Sequence, residues 1–248
     1  MLLLLPPSET KRDGGIPGTK LSYSALTFPT LTSTRRSVVS AIRELAKDEA
    51  AALVALKLGP TQAGEVLRNR RIATSPVLPA IDRYDGVLYD ALDAATLSDE
   101  ARAFAASTVA IASAAFGLTM ASDLIPAYRL SHDSRVPNLR LAATWRDRVA
   151  HVISSYEGLI LDLRSEAYCA FGPAPRRAES VFVRVVTDGV DGRRRALNHF
   201  NKHGKGEFVR SIVTAGVRHR TVDSLRDWAS SAGHRLDMNA AGELELVV

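Results

Sequence analysis

The chain opens on an apolar run, Met1 to Leu5, that Pro6 and Pro7 cut short. Such a run falls far short of the ~20 residues a membrane-spanning helix requires. An export signal is not expected either, because no charged region precedes the run and no small-residue cleavage site follows it. What remains is a strand buried on both faces, the kind that sits inside an α/β sheet.

With 248 residues, 46% of them hydrophobic and 24% charged, the chain has the composition of an ordinary globule. No linker divides it, so a single domain over residues 1–248 is expected. One cysteine, Cys169, excludes an intramolecular disulfide and fits a reducing, cytoplasmic setting. Nothing in the sequence activates it, so it reads as a small buried residue and not as a nucleophile. A net charge of +5 and a pI near 9.5 favour encounter with anions, nucleic acid or phosphorylated and carboxylated metabolites. The last third concentrates this charge in Arg176, Arg177, Arg184, Arg193, Arg194, Arg195, Lys202, Lys205, Arg210, Arg218 and Arg220. The plainer account of any one of these is a solvated arginine covering a sheet edge or helix face.

Glycine and proline between Ser8 and Lys20 predict an exposed loop after the first strand. Apolar spacing predicts a helix through Val38, Val39, Ile42 and Leu45, a second over Glu49 to Lys57, and a third over Thr61 to Arg70. The connection between the last two is Leu58-Gly59-Pro60. Tyr84 to Leu92 reads as a short helix or turn, Ser98 caps a helix to Ala106, and Val109 to Ala115 is a small-residue strand. Gly117 to Pro126 reads as irregular. A helix over Asn138 to Ser154 and an inner strand over Leu159 to Leu163 follow. Val181 to Val186 pairs through a turn at Asp188 to Gly192 with a strand over Arg195 to Phe200. Lys205 to Thr214 and Val222 to Ser231 are helical, and His234 to Met238 forms a closing hairpin with Glu243 to Val248.

Four polar clusters follow predicted strands or sit at glycine-rich turns, where side chains converge over a sheet edge. Pro6-Pro7-Ser8-Glu9-Thr10-Lys11 offers a hydroxyl, a carboxylate and an ammonium. Ile125 to Ser131 and Asp162 to Tyr168 each place an arginine near a tyrosine, Arg129 with Tyr128 and Arg164 with Tyr168, a pairing suited to clamping a carboxylate or phosphate. In His199 to Gly206, Gly204 and Gly206 could let backbone amides approach an anion between Lys202 and Lys205. In this reading Glu9, Lys11, Tyr168 and His199 move protons. Ser8, Tyr128, Arg129, Arg164, Lys202, His203 and Lys205 hold the anion. His199 and His203 share a helical spacing seen in some zinc sites, yet a third ligand and an intervening glutamate are missing, so no metal is expected. A serine triad from Ser8 or Ser165 with His199 lacks the glycine pattern of a nucleophile elbow. No nucleotide-binding fingerprint occurs, and no cofactor is expected.

In this order, with Tyr84-Asp85-Gly86-Val87-Leu88-Tyr89 between the first and second, the clusters resemble the YaaA family of peroxide-stress proteins. The Pro-Pro-Ser-Glu-x-Lys opening, Ile-Pro-Ala-Tyr-Arg-Leu, Asp-Leu-Arg-Ser-x-x-Tyr and His-Phe-x-Lys-His carry the resemblance from Leu2 to about Gly216. It implies an α/β fold of the family's own type, a mixed sheet surrounded by helices, with a positively charged cleft. It also implies a helix-hairpin-helix that binds DNA in a branch that protects against peroxide and limits free iron. The corresponding segment here is about 49–71, and Lys57, Gly59, Thr61, Arg68, Arg70 and Arg71 are its candidate phosphate contacts. Two stretches depart from the family pattern, Ser113 to Ala121 and Ser131-His132-Asp133, and both are expected at the pocket. The primary expectation is therefore DNA binding in oxidative-stress defence. The alternative is an enzyme, with a biosynthetic role among its possibilities, acting on a small anionic metabolite.

Overall fold

A computed structural model of the chain describes residues 1–189, 194–196 and 200–248. Its strands and α-helices, in chain order, are Leu2–Leu5 (β1), Thr32–Leu45 (α1), Glu49–Leu56 (α2), Ala63–Arg71 (α3), Val77–Pro79 (β2), Ala80–Arg83 (α4), Val87–Leu92 (α5), Asp99–Thr108 (α6), Val109–Ser113 (β3), Gly117–Met120 (β4), Leu124–Pro126 (β5), Leu141–Ser154 (α7), Ile160–Asp162 (β6), Glu166–Cys169 (α8), Ser180–Asp188 (β7), Arg194–Ala196 (β8), Phe200–Ala215 (α9), Val222–Ser231 (α10), Arg235–Met238 (β9) and Leu244–Val247 (β10). One sheet runs in the order β4-β3-β1-β6-β7-β10-β9, with β8 also paired to β7, and helices flank it. A second sheet is the pair β2-β5.

The leucine run does what its composition demands. β1 lies between β3 and β6, parallel to both, with Leu4 opposite Ala110 on one side and Asp162 on the other. Leu2 to Leu5 are all buried. β6, β7 and β10 continue the parallel set, while β4, β8 and β9 run antiparallel. The carboxyl ends of β1 and β6 therefore open on one edge, where loops of an α/β sheet gather ligands.

Several expectations are corrected. Gly117 to Pro126 is not irregular. It holds β4, an edge partner of β3, and β5, because Gly117 takes a positive φ of 76° and turns the chain back beneath the Trp145 ring. The strand expected over Arg195 to Phe200 is Arg194–Ala196, and Phe200 already belongs to α9. The turn at Val190 to Gly192 and residues Leu197 to His199 lie outside the described residues. α9 also runs through Gly204 and Gly206, so these glycines do not form an anion-cradling loop.

They serve close packing instead. A Cβ at Gly206 would stand 2.2 Å from the Leu88 carbonyl oxygen of α5. Gly206→Ala is expected to cost about 1–3 kcal/mol by overpacking. Gly64→Ala, where a Cβ would meet nothing within 4 Å, is expected to gain about 0.5–1 kcal/mol from helix propensity. Denaturant midpoints of the two variants give opposite signs.

Two fully buried arginines stitch loops to this frame through carbonyls. Arg35 of α1 donates to the Phe116 and Leu118 oxygens at 3.0 and 2.7 Å. Arg83 donates to Ile125, Gly14 and Pro76 oxygens at 3.1 Å each, holding the loop after β1 against β5. Burial lowers both guanidinium pKa values to about 10. Among the described residues no helix is long and apolar enough to cross a membrane.

Candidate functional site

A cavity of about 310 Å³ opens at the carboxyl ends of β1 and β6. Pro6, Pro7 and Glu9 from the loop after β1 line it, with Ser131 and His132 from the segment after β5, Ser165 and Tyr168 at α8, and Asn201, Lys202 and Lys205 of α9. All four sequence clusters thus contribute to one wall, brought together by strand order and not by sequence proximity.

The electrostatics centre on two lysines. Lys205 lines the cavity, is 5% exposed, and faces no carboxylate within 4 Å among the described residues. Its ammonium lies 5.5 Å from the Phe182 ring centroid. Burial lowers its pKa to about 8. Lys11 is 2% exposed and lies off the cavity wall. Its Nζ donates to the Glu9 carbonyl oxygen at 3.1 Å and sits 4.2 Å from the Tyr128 ring centroid. Burial, aided by the nearby Arg129 charge, drives its pKa down to about 7.

At the rim, Arg129 Nη2 donates to Glu9 Oε2 at 2.6 Å, and Ser131 Oγ donates to Oε1 at 3.3 Å. This ion pair occupies the anion-binding face expected of Arg129. Asn69, a fully buried residue of α3 that sequence reading missed, fixes the segment after β5 at Arg129. Its amide oxygen accepts from the Arg129 N–H at 2.8 Å, and its amide nitrogen donates to the Arg129 carbonyl at 2.7 Å. Tyr128 is buried and does not line the cavity. Its hydroxyl joins those of Tyr84 at 2.8 Å and Ser113 at 2.7 Å, and burial raises both phenol pKa values, that of Tyr84 to about 12. Ser8 packs against Gly86, with its Oγ 3.3 Å from where a Cβ there would stand.

Arg164 does not face the cavity, contrary to expectation. It is fully buried, and its Nε and Nη2 grip Asp162 Oδ1 and Oδ2 at 2.8 and 2.6 Å. β6 ends at Asp162, and in the bend that follows the Arg164 backbone N–H also donates to Asp162 Oδ1 at 3.1 Å, which folds the guanidinium back onto the carboxylate. Cys169 Sγ lies 3.5 Å from Asp162 Oδ2, and burial raises its thiol to about 12, well away from nucleophilic character. Tyr168 keeps its place on the wall, 5.6 Å from the His132 ring, with its phenol pKa raised by burial. His203 is exposed and pairs with Glu207 at 3.2 Å, away from the cavity lining. His199 lies outside the described residues. Among the described residues no group of three or more His, Cys, Asp or Glu side chains is arranged to hold a metal ion.

The helix pair α2–α3 is present, joined through Lys57 at a left-handed φ of 56° and a 3₁₀ turn at Pro60–Gln62. Its cations are largely engaged. Lys57 bonds Asp133 at 2.6 Å, lowering that carboxyl to about 2. Arg68 bonds Glu65 and Asp13 at 2.6 and 2.7 Å, and Arg70 donates to the Ala46 oxygen. The Gly59 amide donates to the Gln62 side chain at 3.0 Å, which closes the donor a phosphate would use. Thr61 and Arg71 line a separate cavity of about 480 Å³, and Arg71 forms no ion pair among the described residues. Two arginines of the last third are compensated in the same way. Arg184 pairs with Glu243 at 2.8 Å, and Arg194 bridges Asp188, Asp237 and Glu245.

The two departures from the family pattern separate. Ser131 and His132 line the cavity, whereas Met120 and Ala121 are buried at the end of β4 and line none of it.

A family model described as peroxide stress protein YaaA matches residues 1–240. A UPF0246 protein of Corynebacterium glutamicum strain R is 39% identical, covering 96% of each chain. A UPF0246 protein of Streptomyces coelicolor is 39% identical over 92% of this chain and 90% of its own. Another, from Shewanella piezotolerans, is 28% identical over 94% of this chain and 93% of its own.

Proposed function

Because the chain belongs to the family of peroxide stress protein YaaA, we propose that it serves oxidative-stress defence by binding a small carboxylate or phosphate in the cavity at the ends of β1 and β6. One observation carries this reading: Lys205, almost wholly buried, stands on the cavity wall with no carboxylate partner among the described residues. An amine kept out of water without a counter-charge is costly. A bound anion supplies the missing charge. Lys202 and the Ser131, Ser165 and Tyr168 hydroxyls provide further donors around it. Lys57, Arg68, Arg184 and Arg194 are each paired with a carboxylate, so these four are not free to meet a long polyanion.

The sign of the pH dependence follows. The anion favours protonated Lys205, so affinity is flat below the free amine's pKa of about 8. Above it, each binding event must take up a proton, and affinity falls by up to about tenfold per pH unit. Thermal denaturation against a panel of carboxylates and phosphates tests the reading. A ligand at a hundredfold excess over Kd adds about 2.7 kcal/mol, and Lys205→Met abolishes the gain. No stabilisation by any member of the panel overturns it.

DNA binding is the second reading, favoured by Arg71, exposed and without an ion pair among the described residues at the basic end of α3. Its signature is a duplex affinity that falls steeply with salt, with a slope that decreases by about one in Arg71→Ala.

A further inference from the structure

Lys205 differs from an ordinary anion-binding lysine in its surroundings. A lysine can hold an anion by charge alone while fully exposed, whereas this amine is enclosed at 5% exposure on the wall of a cavity of about 310 Å³. Groups able to give and take protons share that wall: the Tyr168 phenol, the Ser131 and Ser165 hydroxyls, the His132 imidazole and the Glu9 carboxylate. Glu9 is tied to Arg129, and Asp162, the buried carboxylate of the neighbouring strand, is consumed by Arg164. Asp162 favours the Lys205 ammonium at a distance, but neither carboxylate forms an ion pair with it. Burial also lowers the amine's pKa to about 8, which leaves about a tenth of it unprotonated at neutral pH, far more than for an ordinary lysine. Lys202, on the same helix, is exposed and lies at the rim, placed to meet a second, charged end of a ligand.

From this arrangement we propose that Lys205 is a nucleophile that condenses with the carbonyl of a small 2-oxo acid, whose carboxylate is held at Lys202. The inference rests on the anion-site reading above. In the condensation the Lys205 nitrogen attacks the carbonyl carbon, forming a C–N bond and a carbinolamine hydroxyl. That hydroxyl then leaves. The C=O bond is replaced by C=N, and water departs with the carbonyl oxygen and two protons from the amine. The wall hydroxyls, Tyr168 and His132 are the groups in reach to relay those protons. No oxidant or reductant is consumed.

The test uses the full chain with glyoxylate and pyruvate as probes, in the presence and absence of cyanoborohydride, followed by intact mass and peptide mapping. The expected result is one reduced adduct per chain, mapped to Lys205, that oxalate or lactate suppresses and Lys205→Arg eliminates. Lys205→Arg keeps the positive charge but lacks the primary amine, and its thermal unfolding establishes that it folds. Should it fail to fold, mapping on the wild-type protein still decides, as does the pH profile of trapping, which rises as the amine loses its proton. An adduct spread over surface lysines, or mapped to Lys202 or Lys11, overturns the proposal. If oxalate and lactate stabilise the protein but no adduct forms, the covalent step is wrong and the anion site stands. If neither binding nor adduct is seen, both fall.

Discussion

Lys11→Met is expected to be more stable than the wild-type protein at pH 6, by about 3–5 kcal/mol as an upper range, with the advantage shrinking as the pH rises. The folded-state pKa of Lys11 is about 7, against 10.5 for an ordinary lysine. Below about 7, folded and unfolded chains both carry the proton and the full cost of burying the ammonium is present. Between about 7 and 10.5 the unfolded chain binds more protons than the folded one, so this group makes stability rise with pH. Removing the amine removes both the cost and the slope. Opposing this is the cation–π contact with Tyr128 at 4.2 Å, worth up to about 2 kcal/mol when desolvated, and one hydrogen bond to the Glu9 carbonyl. Desolvation is the larger, so the net sign is stabilising. Denaturant titrations of variant and wild type at several pH values read the difference directly. A variant that is weaker than wild type at every pH would make Lys11 a structural peg.

Arg164→Ala carries the opposite sign and a similar size. It leaves Asp162, 4% exposed, as an uncompensated carboxylate in the sheet, and removing one partner of such a pair costs about 3–5 kcal/mol. Asp162→Asn combined with Arg164→Met recovers most of this, since it replaces both charges. If the single and double variants lose stability equally, the ion pair is not what holds this turn. The loss has a functional consequence as well, because Asp162-Leu163-Arg164 ends β6 and leads into Ser165 and Tyr168 on the cavity wall.

These residues show where sequence reasoning succeeded and failed. Met1 to Leu5 announced an inner strand because only a doubly buried strand tolerates four leucines in a row before two prolines. Val222 to Ser231 and the closing hairpin were legible for the same reason, since local periodicity and turn chemistry decided them. The four clusters could be named from their residue types, but their meeting is a product of strand order, which periodicity does not encode. Arg164 was misplaced as an anion clamp although its partner stood two positions earlier, at the end of β6, where the bend that follows folds the guanidinium back onto the carboxylate. Gly204 and Gly206 suggested a loop because glycine is a poor helix former. Their actual role is close packing: Gly206 lets α9 approach α5, a neighbour more than a hundred residues away in sequence, and Gly204 faces Val185 and Val248. Asn69 gave no signal at all, since a lone asparagine in a helix reads as solvent-facing until the chain it brackets comes alongside.

The same compensation argument explains the charge. Composition predicted a cationic surface, yet ion pairs across β7, β8, β9 and β10 consume Arg184 and Arg194. Two further cations, Lys11 and Lys205, are instead enclosed, and neither forms an ion pair among the described residues. Sequence alone counts charges, and only the fold assigns their partners.

The decisive measurement is the titration of the Lys205 side chain by NMR of its ε-carbon, in the free protein and with a saturating oxo acid or phosphate. The free amine should titrate near 8, and a non-covalently bound anion should raise that value, while a condensing 2-oxo acid should replace the amine signal with one that no longer titrates as a lysine. A Lys205 that titrates as an ordinary exposed lysine and is indifferent to every anion offered would contradict the account.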